Sequence, residues 1–177
     1  SATCKAVAYA KEHGKLITYD PNLRKPLWKS LETCKEQMLW GLSQADVVKI
    51  SDEEVEFLFG LGAEEGAKHI LSNYGVQLVF VTCGAEGCFF SNGTAQGHVP
   101  SLSGIKVVDT TGAGDIFGGS AVWKLLQSGK VPEQLDEQEI RDIVRFACTA
   151  AGLSTTKPGG IPSVPSYREV LARMEAK

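Results

Sequence analysis

The sequence predicts an α/β fold, with a mostly parallel central sheet and helices on both faces. Three observations predict it. Segments with helical spacing alternate along the chain with short β-branched runs. Residues 76–81 form a nearly unbroken apolar run, as expected of a parallel strand covered on both faces. Polar clusters recur just after the strand segments, where open α/β sheets bind their ligands.

Taken in order, residues 2–12 have helical character and 15–20 form a short strand, followed by the turn Pro21-Asn22-Leu23-Arg24. Residues 28–41 are expected to be helical, with Leu31, Lys35, Met38, Leu39 and Leu42 on one side and Trp28 and Trp40 in its core. Residues 45–50 form a strand that ends at Ser51-Asp52-Glu53-Glu54. There Ser51 caps a helix and Glu54 stands at the capping-box position. A further helix covers 64–74, and the buried strand 76–81 follows. Residues 87–91, 97–99 and 105–108 read as short antiparallel strands between Gly-rich turns. A helix over 112–127 stops at Gly129 and Pro132. Ile140, Ile143, Val144, Ala147, Cys148 and Ala151 then keep helical spacing, 152–165 is a Gly/Pro-rich loop, and 166–175 a last helix.

Composition bounds the function. The chain has 177 residues, 43% of them hydrophobic, which is enough for one core-forming domain or part of one. A net charge of −3 with interspersed signs points to neither nucleic acid nor an anionic membrane as partner, and no apolar run is long enough to span a bilayer. Five scattered cysteines without a Cys-x-x-Cys pair suit reduced thiols in the cytoplasm. His13, His69 and His98 lack metal spacing and read as surface or loop residues. No charged-then-apolar leader is visible. The chain opens on Ser1 directly into a helix, so it reads as starting within a longer one.

The most informative stretch runs from Val107 to Gly119, with Asp109-Thr110-Thr111-Gly112-Ala113-Gly114-Asp115 at its centre. It reads as a strand end, a tight turn and the first turn of a helix. Small residues expose backbone N–H groups where the helix dipole is positive, which makes an anion pocket. Asp115 stands in that pocket, either as a helix cap or as a carboxylate able to take a proton from an alcohol attacking a phosphoryl group. Other phosphate motifs fail on spacing. Gly129-Lys130 is followed by Val131, so no Walker sequence forms, and the third glycine of a dinucleotide fingerprint is Phe117. The protein-kinase signatures are absent.

The phrases Asp-Pro-Asn-Leu-Arg from Asp20, Lys-Ile-Ser-Asp-Glu-Glu from Lys49 and Val-Thr-Cys-Gly-Ala-Glu-Gly from Val81 occur in this order. The Asp109 motif and Ser-Thr-Thr-Lys-Pro-Gly-Gly from Ser154 complete the set. Together they resemble the ribokinase-like (PfkB-type) sugar kinases, nearest the fructokinases, over essentially the whole chain. Ser120 departs from the small residue usual after the motif. The resemblance implies a three-layer ribokinase-like fold. Residues 1–177 would form the carboxyl-terminal, nucleotide-binding part of one kinase domain, lacking the amino-terminal half and its lid.

The same resemblance implies roles. Asp115 would be the general base, and Gly112, Ala113 and Gly114 would supply N–H groups to the transferring phosphoryl group. Lys49 and Ser51 would face the phosphates of ATP, Thr82 and Gly84 would hold the nucleotide with Gly87 in a nearby turn, and Cys148 would pack on adenine unless it is plain core. Glu54 would organise Mg²⁺ indirectly. Asp109, Thr111, Ser154, Lys157, Gly159 and Ser163 would surround a monovalent cation such as K⁺, or form only a loop. Arg24 would meet a phosphate or a sugar-acid carboxylate. The implied activity is ATP-dependent phosphorylation of a sugar, fructose first. The alternatives are a 2-keto-3-deoxygluconate kinase, a nucleoside kinase or a non-catalytic binding module. The segment alone is expected to be inactive and prone to self-association, and a full-length protein could dimerise through its lid.

Overall fold

Alternation along the strands sorts their side chains onto two faces. A computed structural model describes residues 1–176. In it, β2 (Val47–Ser51) sends Val48 and Ile50 to one face, while β3 (Leu78–Thr82) adds Val79 and Val81. Val47, Leu78 and Phe80 point the other way. Two apolar faces need two helical covers. α2 (Leu31–Leu42), α3 (Asp52–Phe59) and α4 (Ala63–Tyr74) cover the first through Met38, Leu42, Val55, Leu58 and Ile70. α5 (Ala113–Ser128) and α6 (Glu137–Ser154) cover the second through Phe117, Ala121, Leu125, Ile140 and Val144. α7 (Tyr167–Glu175) packs Val170 onto Phe146 and Ala150 of α6.

The five strands lie in sequence order. β1 (Thr18–Tyr19), β2 and β3 are parallel, while β4 (Cys88–Ser91) and β5 (Gln96–Val99) add on antiparallel. The sheet is therefore mixed, less parallel than the sequence predicts, because β3, β4 and β5 are joined by short turns that need no crossover helix. The outer edge of β1 has no strand partner among the described residues, and α1 (Ala2–Glu12) buries none of its residues.

Four local expectations are corrected. The helix predicted from residue 28 begins at Leu31, where the Ser30 hydroxyl accepts the Thr33 N–H; Pro26 sets a preceding 3-10 turn, and Trp28 is extended. Residues 105–108 form no strand: Val107 and Val108 are more than half exposed, and the N–H groups of Val108 and Asp109 both donate to Thr155 O. α6 runs through Ser154, into the stretch predicted as loop, and Ile161–Ser163 form a 3-10 turn. His69 is a half-buried residue of α4 against the rings of Phe59 and Tyr74, whereas His98, in β5, is exposed as expected.

Two polar side chains secure the connections on the α5 side. Asn92, 8% exposed, accepts the N–H groups of Thr94 (3.2 Å) and Ala95 (2.8 Å) and donates to the carbonyls of Pro132 (3.1 Å) and Leu135 (2.9 Å). It both closes the β4–β5 turn and ties it to the segment before α6. Asp109 accepts the N–H of Thr111 (2.9 Å) and of Gly159 (2.8 Å), joining the start of α5 to the loop after α6. These donors hold the Asp109 carboxyl down at about 2.

Replacing Asn92 by Ala removes five hydrogen bonds, one of them from the Thr94 hydroxyl, and strands two carbonyls, which is expected to cost about 2–4 kcal/mol. Denaturant titration checks this, and an unchanged midpoint would refute it. For Asp109 the folded value lies below the usual 3.8, so its contribution is present above about pH 4 and lost as pH falls toward 2. Melting temperature should therefore fall less steeply across that window in Asp109→Asn than in the native chain; parallel curves would sink the assignment.

Candidate active site

Steric constraint explains the small residues at the start of α5. Gly112 caps the helix at φ 78°, a left-handed backbone, and a Cβ there would stand 3.2 Å from Gly160 Cα. A Cβ on Gly114 would stand 3.1 Å from Lys49 Nζ. The helix start thus settles onto the 159–160 turn on one side and onto a lysine of β2 on the other. The Ala113 N–H is taken by Thr110 O (3.2 Å) and that of Ile116 by Gly112 O (2.9 Å). The N–H groups of Gly112, Gly114 and Asp115 have no acceptor among the described residues. The turn therefore offers three donors to an anion, with Asp115 in place of the expected Ala113, because the turn before the helix closes on Ala113.

Two cavities flank this point. One, of about 520 Å³, is lined by Thr82, Gly84, Gly87, Ala113, Gly114, Phe117 and Cys148, among others. It gathers most of the residues expected around a nucleotide. Burial pushes the Cys148 thiol up to about 12, so it presents a neutral packing surface. The other cavity, of about 320 Å³, is lined by Tyr19, Asp20, Lys49, Asp115, Gly118 and Gly119, among others. Gly114 belongs to the first cavity and Asp115 to the second. The first turn of α5 is thus the wall between them.

Lys49 stands at that wall because strand alternation puts it on the α5 face of β2. Its ammonium donates to Asp20, 3.2 Å to Oδ2 and 3.4 Å to Oδ1, and its side chain is 14% exposed. Burial raises the Asp20 carboxyl, an effect the Lys49 charge opposes. The sequence marked Asp20 only as part of a polar cluster; its partner lies 29 positions away.

Other expected site residues fall elsewhere. The capping box is present: Ser51 Oγ accepts the Glu54 N–H (3.2 Å), and Glu54 Oε2 accepts the Ser51 N–H (2.8 Å). Glu54 Oε1 also accepts the Leu23 N–H at 2.6 Å, a tie the spacing could not reveal. That bond holds the 20–24 loop, in which Asn22 is left-handed at φ 50°. Neither Ser51 nor Glu54 lines the two cavities, and Arg24 is exposed and lines neither.

Of the residues expected around a monovalent cation, Asp109, Thr111 and Gly159 are brought together by the Asp109 carboxylate. Ser154 and Ser163 are buried, donating to Ala151 O and Gly160 O (both 2.7 Å). The Lys157 ammonium instead pairs with Glu169 of α7 at 3.5 Å. Both Asp109 oxygens accept a backbone N–H, and each keeps a further lone pair that a cation could use. Among the described residues, no cluster of three His, Cys, Asp or Glu forms a metal site, all five cysteines are free thiols, and no helix is long and apolar enough to cross a membrane.

A family model described as "pfkB family carbohydrate kinase" matches residues 1–167. Fructokinase-2 of Solanum lycopersicum is 39% identical over 176 residues, which is 99% of this chain and 53% of that protein. A fructokinase double mutant from Vibrio cholerae O395, in fructose, ADP and potassium ion bound form, superposes with a TM-score of 0.87 at 33% identity, over 98% of this chain and 55% of that one. Fructokinase from Xylella fastidiosa with bound ATP gives 0.86 at 29% identity, over 98% and 56%. The chain thus spans about half the length of the relatives it matches, and its mixed sheet between two helical layers is the ribokinase-like fold. The chain belongs to the pfkB family of carbohydrate kinases.

Proposed function

We propose that this chain is the nucleotide-binding part of an ATP-dependent sugar kinase acting on fructose. One observation carries the reading: a turn with three free N–H donors separates two cavities, with Lys49 beneath it and Asp115 on its far side. The larger cavity would take the nucleotide base against Phe117 and Cys148, with the phosphates at the Gly112–Gly114 turn. The smaller would receive the sugar hydroxyl at Asp115. Asp115 would accept the hydroxyl proton as the oxygen attacks the γ-phosphoryl group, while Lys49 and the N–H groups offset the charge on its oxygens. Fructose is the acceptor to test first because the relatives described above are named fructokinases. Arg24, the residue that would suit a sugar acid, lines neither cavity, so no observation favours that alternative.

The nucleotide would be taken with Mg²⁺, which would supply charge neutralisation to its phosphates. Glu54 would act on such an ion through water, since it lines neither cavity and its carboxylate holds the Leu23 and Ser51 N–H groups. K⁺ would sit at the Asp109–Gly159 junction, where it would reinforce the contact that joins the start of α5 to the loop after α6.

Calorimetric titration of ATP-Mg²⁺ into the 177-residue chain is expected to show binding that tightens with K⁺; binding indifferent to K⁺ would remove the cation from the reading. The chain alone is expected to release little ADP with fructose, because β1 leaves the acceptor cavity beside an open sheet edge, and rapid release would overturn that. In the chain extended to the length of its relatives, Asp115→Asn is expected to lower kcat about 10²–10⁴-fold with ATP affinity kept. Equal turnover by that variant would exclude Asp115 as the base.

A further inference from the structure

Asp20 is a charged, half-buried residue at the heart of this site, and the kinase reading gives it no task. Among the described residues its carboxylate is the one side chain that Lys49 bonds, and the two share a cavity with a second carboxylate, Asp115. Lys49 Nζ also lies so near the turn that a Cβ on Gly114 would stand 3.1 Å from it. A lysine side chain has four torsions and no preferred direction of its own. Here its ammonium is held by one anion.

We infer that Asp20 is the positioning residue for Lys49, holding the ammonium against the Gly112–Gly114 turn and away from Asp115. This rests on the kinase reading above and deepens it. The argument is competitive. Lys49 has two carboxylates within its cavity and can satisfy only one closely. Paired with Asp115, it would occupy the lone pair that must receive a proton, and it would leave the place where a phosphate meets the turn. Paired with Asp20, which follows β1 directly beside β2, it stays under the turn and Asp115 stays open. The loop carrying Asp20 is itself held by the Glu54–Leu23 bond, so the anchor does not drift.

The test is calorimetric titration of the chain with ATP and, separately, with adenosine. Asp20→Asn keeps the size of the side chain and removes its charge. It is expected to weaken ATP binding about tenfold, the scale of one charge-assisted hydrogen bond. Adenosine binding should be unchanged, which also reports an intact fold. In a Lys49→Met background the same substitution should cost nothing further, because the effect passes through Lys49. Equal or tighter ATP binding by Asp20→Asn would overturn the inference while leaving the nucleotide site standing. So would a loss that persists without Lys49 or extends to adenosine. A native chain that binds neither ligand would overturn the kinase reading, and the inference with it.

Discussion

The close approach of the α5 N-terminus to β2 governs the site. A helix start is an anion pocket only where its N–H groups are left free and something nearby shares the charge. Here both conditions depend on missing side chains. Gly112 takes a left-handed backbone against Gly160, and Gly114 leaves room for the Lys49 ammonium. A methyl group at Gly112 would strain the left-handed backbone and crowd Gly160, and one at Gly114 would displace the Lys49 ammonium from the turn.

Burial on both faces of the sheet creates a cost that the site turns to use. A strand sandwiched between helical layers is apolar nearly throughout, as Val47, Val48 and Ile50 are. Lys49 breaks that run, and a poorly solvated ammonium needs an anion. Asp20 supplies one from the neighbouring strand end. The pair is thus held where solvent screens it little, and an arriving phosphate would meet a charge already in place.

The parts legible in the sequence were those written in local spacing. The Asp109–Asp115 run showed a turn and a helix start because N–H donors, small residues and a carboxylate follow one another directly. The Ser51–Glu54 capping box is local in the same way and is present. What stayed hidden depends on residues far apart in the chain. Glu54 reaches Leu23, Lys49 reaches Asp20 and Asn92 reaches Leu135 across 31, 29 and 43 positions, with no periodic signature to betray them. The false strand at 105–108 has a related cause: its β-branched residues suit a strand, but no neighbouring strand accepts them, and the backbone bonds to Thr155 instead.

The two cavities differ in how much of the fold they need. The larger is lined by residues from Thr82 to Thr155, all carried by β3, α5, α6 and the turns between them. Nothing in that lining comes from α1 or β1. The smaller cavity includes Thr18 and Tyr19 of β1, the strand whose outer edge has no partner. On the proposed function, binding energy for the nucleotide would reside in the larger cavity, while choice among acceptors, which depends on excluding water and fitting a ring of hydroxyls, would be set around the smaller one.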